Sequence, residues 1–205
     1  MQENLICPAR IIKSAMNTAG TNLFHSFQQF NIHSGESATF TGPDSVQNII
    51  SRVTGGDPSW IDGKLRSEIP GADMYLLNPA GMMFGPGASL DLGGSFHVST
   101  ADYLGLENGE RFYTMPQENE VMSVAAPTAF GFLNNEIGSI SFEGRGEITE
   151  QEWKDNPSGL HVSEGKTISL IGGISNLQKA LATKPRKLMK MAILCLKNFL
   201  MGLCL

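Results

Sequence analysis

Between residues 20 and 173, no β-prone segment runs far before glycine, proline or asparagine stops it. Ser37-Ala38-Thr39-Phe40 meets Gly42-Pro43-Asp44, Asn48–Thr54 meets Gly55-Gly56, and Met74–Leu77 meets Asn78-Pro79. Met82–Gly85, Ala88–Leu92 and Ser95–Val98 are each bounded by glycine or proline, and Ser139–Phe142, Gly159–Val162 and Thr167–Ile171 continue the style. Ile61–Arg66 alternates apolar and polar residues, the period of a strand with one buried face. A chain punctuated in this way builds short strands, not long helices. Gly63 after Ile61 and Gly85 after Phe84 lie 85 − 63 = 22 residues apart, and Leu65 and Ala88 follow as inward candidates. Repeats of about 20–50 residues mark solenoids, in which each coil buries its inner face only against its neighbours. A β-sandwich or jelly roll accounts for the same turn spacing, so spacing alone leaves both open.

The 205 residues fit one domain with tails, and a charged share of 17% is below the usual quarter. Charge divides the chain. From Ile174 onward stand Lys179, Lys184, Arg186, Lys187, Lys190 and Lys197 with no Asp or Glu, which leaves 9 basic and 20 acidic residues before them, 9 − 20 = −11. The acidic body does not suit nucleic acid. Residues 1–19 show no clear period, 20–173 form the β-rich body, and 174–205 shift to Leu, Lys, Met and Ala. In that last segment Leu177, Ala180, Leu181, Leu188, Met191 and Ala192 fall at helical spacing around Pro185, so a helical or disordered tail is expected. It reads either as a cap on one end of the body or as sequence foreign to the domain. Cys7, Cys195 and Cys204 stand near the termini, without metal-ligand spacing and without a disulfide framework for the body. Met1–Ala19 contains no continuous apolar core of signal-peptide length, and no stretch reaches a membrane span.

Asn22-Leu23-Phe24-His25-Ser26-Phe27-Gln28-Gln29-Phe30-Asn31-Ile32 resembles the opening of the haemagglutination-activity domain, the N-terminal domain of filamentous-haemagglutinin-like exoproteins exported by two-partner secretion. The resemblance continues through Asn48–Gly56 and Ile61–Arg66, is strongest over Leu76–Pro86, and extends through Gly94–Asp102 and Ala126–Phe132. It implies an all-β, right-handed parallel β-helix with an N-terminal β cap. It also implies recognition by the periplasmic domains of an outer-membrane β-barrel transporter, secretion or cell-surface display by a Gram-negative-type bacterium, and an adhesin or haemolysin role for the exoprotein, with a host receptor or glycan as target. The sequence departs from the pattern where Gly42-Pro43-Asp44-Ser45 replaces the Asn-Pro-Asn-Leu motif of many members.

Candidate recognition residues follow. Asn78-Pro79-Ala80-Gly81 corresponds to the family's Asn-Pro-Asn-Gly motif and has turn chemistry: asparagine bonds to backbone two residues on, proline presets φ and glycine relaxes the exit. As a corner of the coil it would shape a surface; as a contact it would be read directly by the transporter. Asn48 and Arg52 lie on a strand offered to the same partner. Phe24, Phe27 and Phe30 recur at three-residue spacing, which suits a cap on the open end of the coil better than an aromatic platform. The four histidines are scattered singly, so neither a metal nor a cofactor is expected. A β-helix carbohydrate-active enzyme is the rival function and would need carboxylates such as Asp62, Asp91 and Asp102 to converge. The leading expectation is a non-catalytic, monomeric export and adhesion domain.

Overall fold

The computed structural model describes residues 9–11, 15–118, 120–143, 160–175 and 190–195. The chain winds as a parallel β-helix of about three turns with strands on three faces. β1 (Ala9–Ile11) and β2 (Ala15–Ala19) come first, followed by the first coil, with β3 (Asn22–Phe27) and β4 (Ser37–Phe40). The second coil supplies β5 (Asn48–Val53), β6 (Ser59–Ile61) and β7 (Lys64–Ser67), and the third supplies β8 (Asp73–Leu77), β9 (Met82–Phe84) and β10 (Ser89–Asp91). After β11 (Phe96–Ser99) the chain leaves the coil to form an antiparallel lid of β12 (Tyr103–Leu106), β13 (Arg111–Tyr113) and β14 (Pro127–Gly131). It returns as β15 (Ser139–Phe142), β16 (Thr167–Ser175) and β17 (Lys190–Cys195).

The first face is the sheet β1-β4-β7-β10. The second runs β2-β3-β5-β8-β11-β16-β17, and the third runs β6-β9-β15 to the end of β16, which serves two faces by turning a corner. All these pairings are parallel except β2 on β3, a hairpin that closes the N-terminal end of the second face as the expected β cap. Parallel pairing throughout the coils decides against a sandwich or jelly roll. Successive rungs of the second face stand 26, 25 and 22 residues apart before the lid intervenes.

Register makes the core. Leu23, Ile49, Met74, Phe96 and Ile168 form one continuous inward row on the second face, all buried. Ala38, Leu65 and Leu90 form a row on the first face, and Ile61, Phe84 and Phe142 one on the third, with Phe84 and Phe142 stacked at 5.2 Å. Each of these leucine, isoleucine, methionine and phenylalanine side chains contributes roughly 1.5–3 kcal/mol on burial. No coil could obtain this alone, because each row is continuous only through its neighbours.

Three expectations are corrected. Ile61–Arg66 is not one strand: Asp62-Gly63 turns a corner between β6 and β7, where the Asp62 carboxylate accepts the Gly87 amide at 2.6 Å and Gly63 lies too close to the Glu36 and His33 carbonyls to carry a Cβ. Leu65 and Ala88 are both buried, as expected, and Leu65 stacks on Leu90. Residues 160–162 form no strand. In the tail expected to be helical or disordered, Lys190–Cys195 is a strand paired parallel to β16, so that Met191 registers with Ile168 and Ile193 with Leu170. An open strand edge outweighs the local helical spacing there. Ile174 and Ser175 at the start of the tail end β16, and residues 176–189 and 196–205 lie outside the described residues.

Candidate recognition surface

The Asn78 turn is built from the inside. The Asn78 side chain is fully buried; its Nδ2 donates to the Asp57 carbonyl and to Ser59 Oγ, both at 3.0 Å, while its Oδ1 accepts the Ala80 amide at 3.1 Å. The Gly81 amide closes the turn on the Asn78 carbonyl at 3.0 Å, and Gly81 has φ +121°, a conformation other residues rarely adopt. On the next coil, Gly138 passes so near the Pro79 carbonyl that a Cβ would overlap it. The turn is therefore held between coils, with Pro79 and Ala80 half-buried at its tip.

Asn48, Arg52 and Phe24 meet at one place, the outer side of the second face beneath the lid. There Phe24, Ile50 and Leu77 pack against Leu104 and Phe112 of the lid, with Phe24 and Phe112 ring centres 5.0 Å apart. This cover explains why every residue of β5 is buried, on both faces of the strand. Asn48 Nδ2 donates to Asn22 Oδ1 at 2.9 Å, and Asn22 Nδ2 in turn holds the lid's loop through the carbonyls of Ser123 (3.0 Å) and Ala125 (2.8 Å). Arg52 is the main fastening. Its guanidinium pairs in fork geometry with Glu120 at 2.7 and 2.6 Å, donates to the Tyr113 carbonyl at 2.6 Å and to Ser26 Oγ at 2.7 Å, and lies 4.4 Å from the centre of the Phe112 ring. The two side chains are only 4% and 13% exposed.

Phe27 stands apart from that group. A strand alternates faces, so Phe24 points outward to the lid while Phe27 points into the coil, against Phe30 at 5.0 Å and Phe40 at 6.3 Å. His25 shares that aromatic interior, and burial lowers its pKa to about 4. On the outer face, His97 stacks on Tyr75 at 4.6 Å and meets Ser169 Oγ at 2.9 Å. Burial lowers the His97 pKa against the opposing pull of Asp73; burial first, then Asp73, raises that of Tyr75 to about 12. The rival's three carboxylates occupy separate positions: Asp62 holds its corner, Asp91 pairs with Arg66 at 3.4 Å, and Asp102 accepts the Leu133 amide at 2.6 Å. Among the described residues no group of three or more His, Cys, Asp or Glu is placed to hold a metal. The sequence reading missed the lid, Glu120, Asn22, and the outward-facing Met115, Val121 and Val124 of the lid's loop. The Glu-Arg pairing spans 68 residues, and no local pattern carries it.

A family model described as the TPS secretion domain matches residues 8–194. The chain belongs to this family. It is the TPS domain of a two-partner-secretion exoprotein. A heme/hemopexin-binding protein of Haemophilus influenzae is 31% identical to this TPS domain over 101 residues, which make up 47% of the present chain but only 11% of that protein's length. Stacked parallel coils with a fastened lid are the form the TPS domain takes here.

Proposed function

We propose that this TPS domain is the export signal of its exoprotein, read by the periplasmic domains of an outer-membrane β-barrel transporter, and that the exoprotein acts outside a Gram-negative-type cell as an adhesin-type surface factor aimed at a host receptor or glycan. The match to the secretion-domain model across residues 8–194 carries the reading. The coil supports it physically. Each new rung pairs with the open edge of the last and completes an inward row, so folding can proceed from the N-terminal end as chain emerges on the outer side. Rung closure then opposes backward sliding.

The test is co-expression in a two-membrane bacterium, with the chain fused to a signal peptide, with and without the transporter. Folded domain in the medium only when the transporter is present is the expected result. Equal amounts in both cultures, or retention in the periplasm despite the transporter, would overturn the proposal.

A further inference from the structure

The lid turns one side of its sheet to the coil and the other to solvent. Leu104, Phe112 and Phe130 pack inward, so strand alternation sends Tyr103, Gly105, Arg111, Tyr113, Ala129 and Gly131 outward. Register sets these in two rows, Tyr113 beside Tyr103 beside Gly131, and Arg111 beside Gly105 beside Ala129. The Tyr103 ring lies across Gly131, so close that a Cβ there would overlap it. On that ring rests the Arg111 guanidinium, 4.5 Å from its centre, which also donates to the Tyr113 side-chain oxygen. Arg52 pairs with Glu120, and Arg66 with Glu68 and Asp91, but Arg111 has no ion pair among the described residues. The carboxylate of its neighbour Glu110 is taken up by Asn108 at 2.7 Å and by Ser123. Gly105 adds a separate sign. A glycine inside a strand weakens it and often marks a place where a ligand comes close. Neither backbone nor space requires one here, because its φ is not left-handed and an added Cβ would meet nothing nearer than 3.4 Å. The register shift that follows Gly105 therefore does not depend on its being glycine.

We propose that the outer face of the lid binds a sugar bearing a single carboxylate, with the carboxylate forked on Arg111 and the sugar ring lying on the bare shelf of Gly105 and Ala129 beside the two tyrosines. The inference gives a ligand class to the surface-factor reading above and rests on it for the outward display of the lid. Charge selects the carboxylate: the stacked, exposed guanidinium is already oriented and matches a carboxylate with two parallel hydrogen bonds. Shape selects the sugar. A flat shelf flanked by half-buried tyrosine rings suits a molecule with a C–H face and a rim of hydroxyls. The same charge balance limits the ligand to one acidic group. Residues 1–173 carry a formal 9 − 20 = −11, which repels a long polyanion.

The experiment is ligand-observed NMR titration of the full folded chain with methyl glucuronide, the methyl glycoside of N-acetylneuraminic acid, methyl glucoside, acetate and a heparin oligosaccharide. One or both acidic monosaccharides should saturate with a Kd of about 1 mM, and the one that does identifies the source of the carboxylate. Methyl glucoside, which lacks only the carboxylate of its partner, and acetate, which lacks the sugar, should each bind about tenfold more weakly or worse. Arg111→Met should weaken the acidic sugar by about tenfold or more, and Arg111→Lys should weaken it too, because an ammonium presents no fork. Gly105→Val should abolish binding while leaving Tm equal or higher, since valine suits a strand and fills the shelf. Should Gly105→Val fail to fold, the exposed Arg111 decides through its own variants. Saturation by neither acidic monosaccharide, equal binding of acetate or methyl glucoside, binding of the heparin oligosaccharide alone, or undiminished binding by Arg111→Met would overturn the site. A chain that its transporter secretes but that binds no acidic sugar leaves the export reading standing. Secretion without the transporter overturns that reading and leaves the titration untouched.

Discussion

Removing one member of the Arg52–Glu120 pair should cost the domain far more than removing both. Glu120→Leu leaves a guanidinium that is 4% exposed without its counter-charge, though still bonded to the Tyr113 carbonyl and Ser26. Breaking a buried pair from one side costs about 3–5 kcal/mol. The residual 13% exposure of Glu120 admits some water, which places Glu120→Leu near the lower end, about 3 kcal/mol. That is roughly two decades in the folded ratio and a drop of about 6–12 °C in Tm for a chain of this size. Arg52→Met/Glu120→Leu replaces both charges with apolar groups beside Phe112 and should return to within about 1 kcal/mol of the parent. Urea denaturation of the four proteins, followed by tryptophan fluorescence, completes the double-mutant cycle. A Glu120→Leu cost below about 0.5 kcal/mol, or single-variant costs that simply add in the double variant, would refute the buried fastening.

Three further outcomes are expected. Phe84→Ala removes a ring stacked on Phe142 in the coil interior and should cost roughly 3–5 kcal/mol by chemical denaturation. Stability should fall as pH drops from 6.5 towards 4 and then level off with respect to His25: the unfolded chain takes up its proton near 6.5, whereas the buried imidazole resists until about 4, a loss of roughly 3 kcal/mol that His25→Leu should remove from the pH–stability curve. Asn78→Asp sets a carboxylate oxygen against the Asp57 carbonyl and should cost about 2 kcal/mol or more in denaturant, so any export defect of that variant is to be judged only after its fold has been checked by circular dichroism.

The rungs were legible in the sequence because their physics is local. Ser37–Phe40 and Ser139–Phe142 form strands with the expected bounds, since a short β-prone run between turn residues has few alternatives. The Asn78 turn was legible for the same reason, each residue carrying a specific turn role. Gly63 and Gly85 set the scale of the repeat, and Leu65 and Ala88 both face the core; the register that stacks Leu65 on Leu90 depends on corners of unequal length, which the spacing alone does not fix. The three-residue spacing of Phe24, Phe27 and Phe30 suggests a cap on the open end of the coil, whereas an extended backbone sends Phe24 to the lid and Phe27 to the core. What escaped the reading entirely was tertiary. Arg52 stands on a strand in the manner of a surface residue, and only a partner 68 residues away makes it a buried one.

The stacking of coils is tested most directly by spin labels on the first face at Ser37, Lys64 and Ser89, which register with one another across β4, β7 and β10. Pairwise distance measurements on doubly labelled chains should place 37 beside 64 and 64 beside 89 at one strand spacing, about 5 Å between backbones, with 37 and 89 two spacings apart, about 10 Å. Separations of about 20 Å or more for 37–64 or 64–89, many times the strand spacing, would contradict the parallel coil on which the lid, the fastening and the export reading all depend.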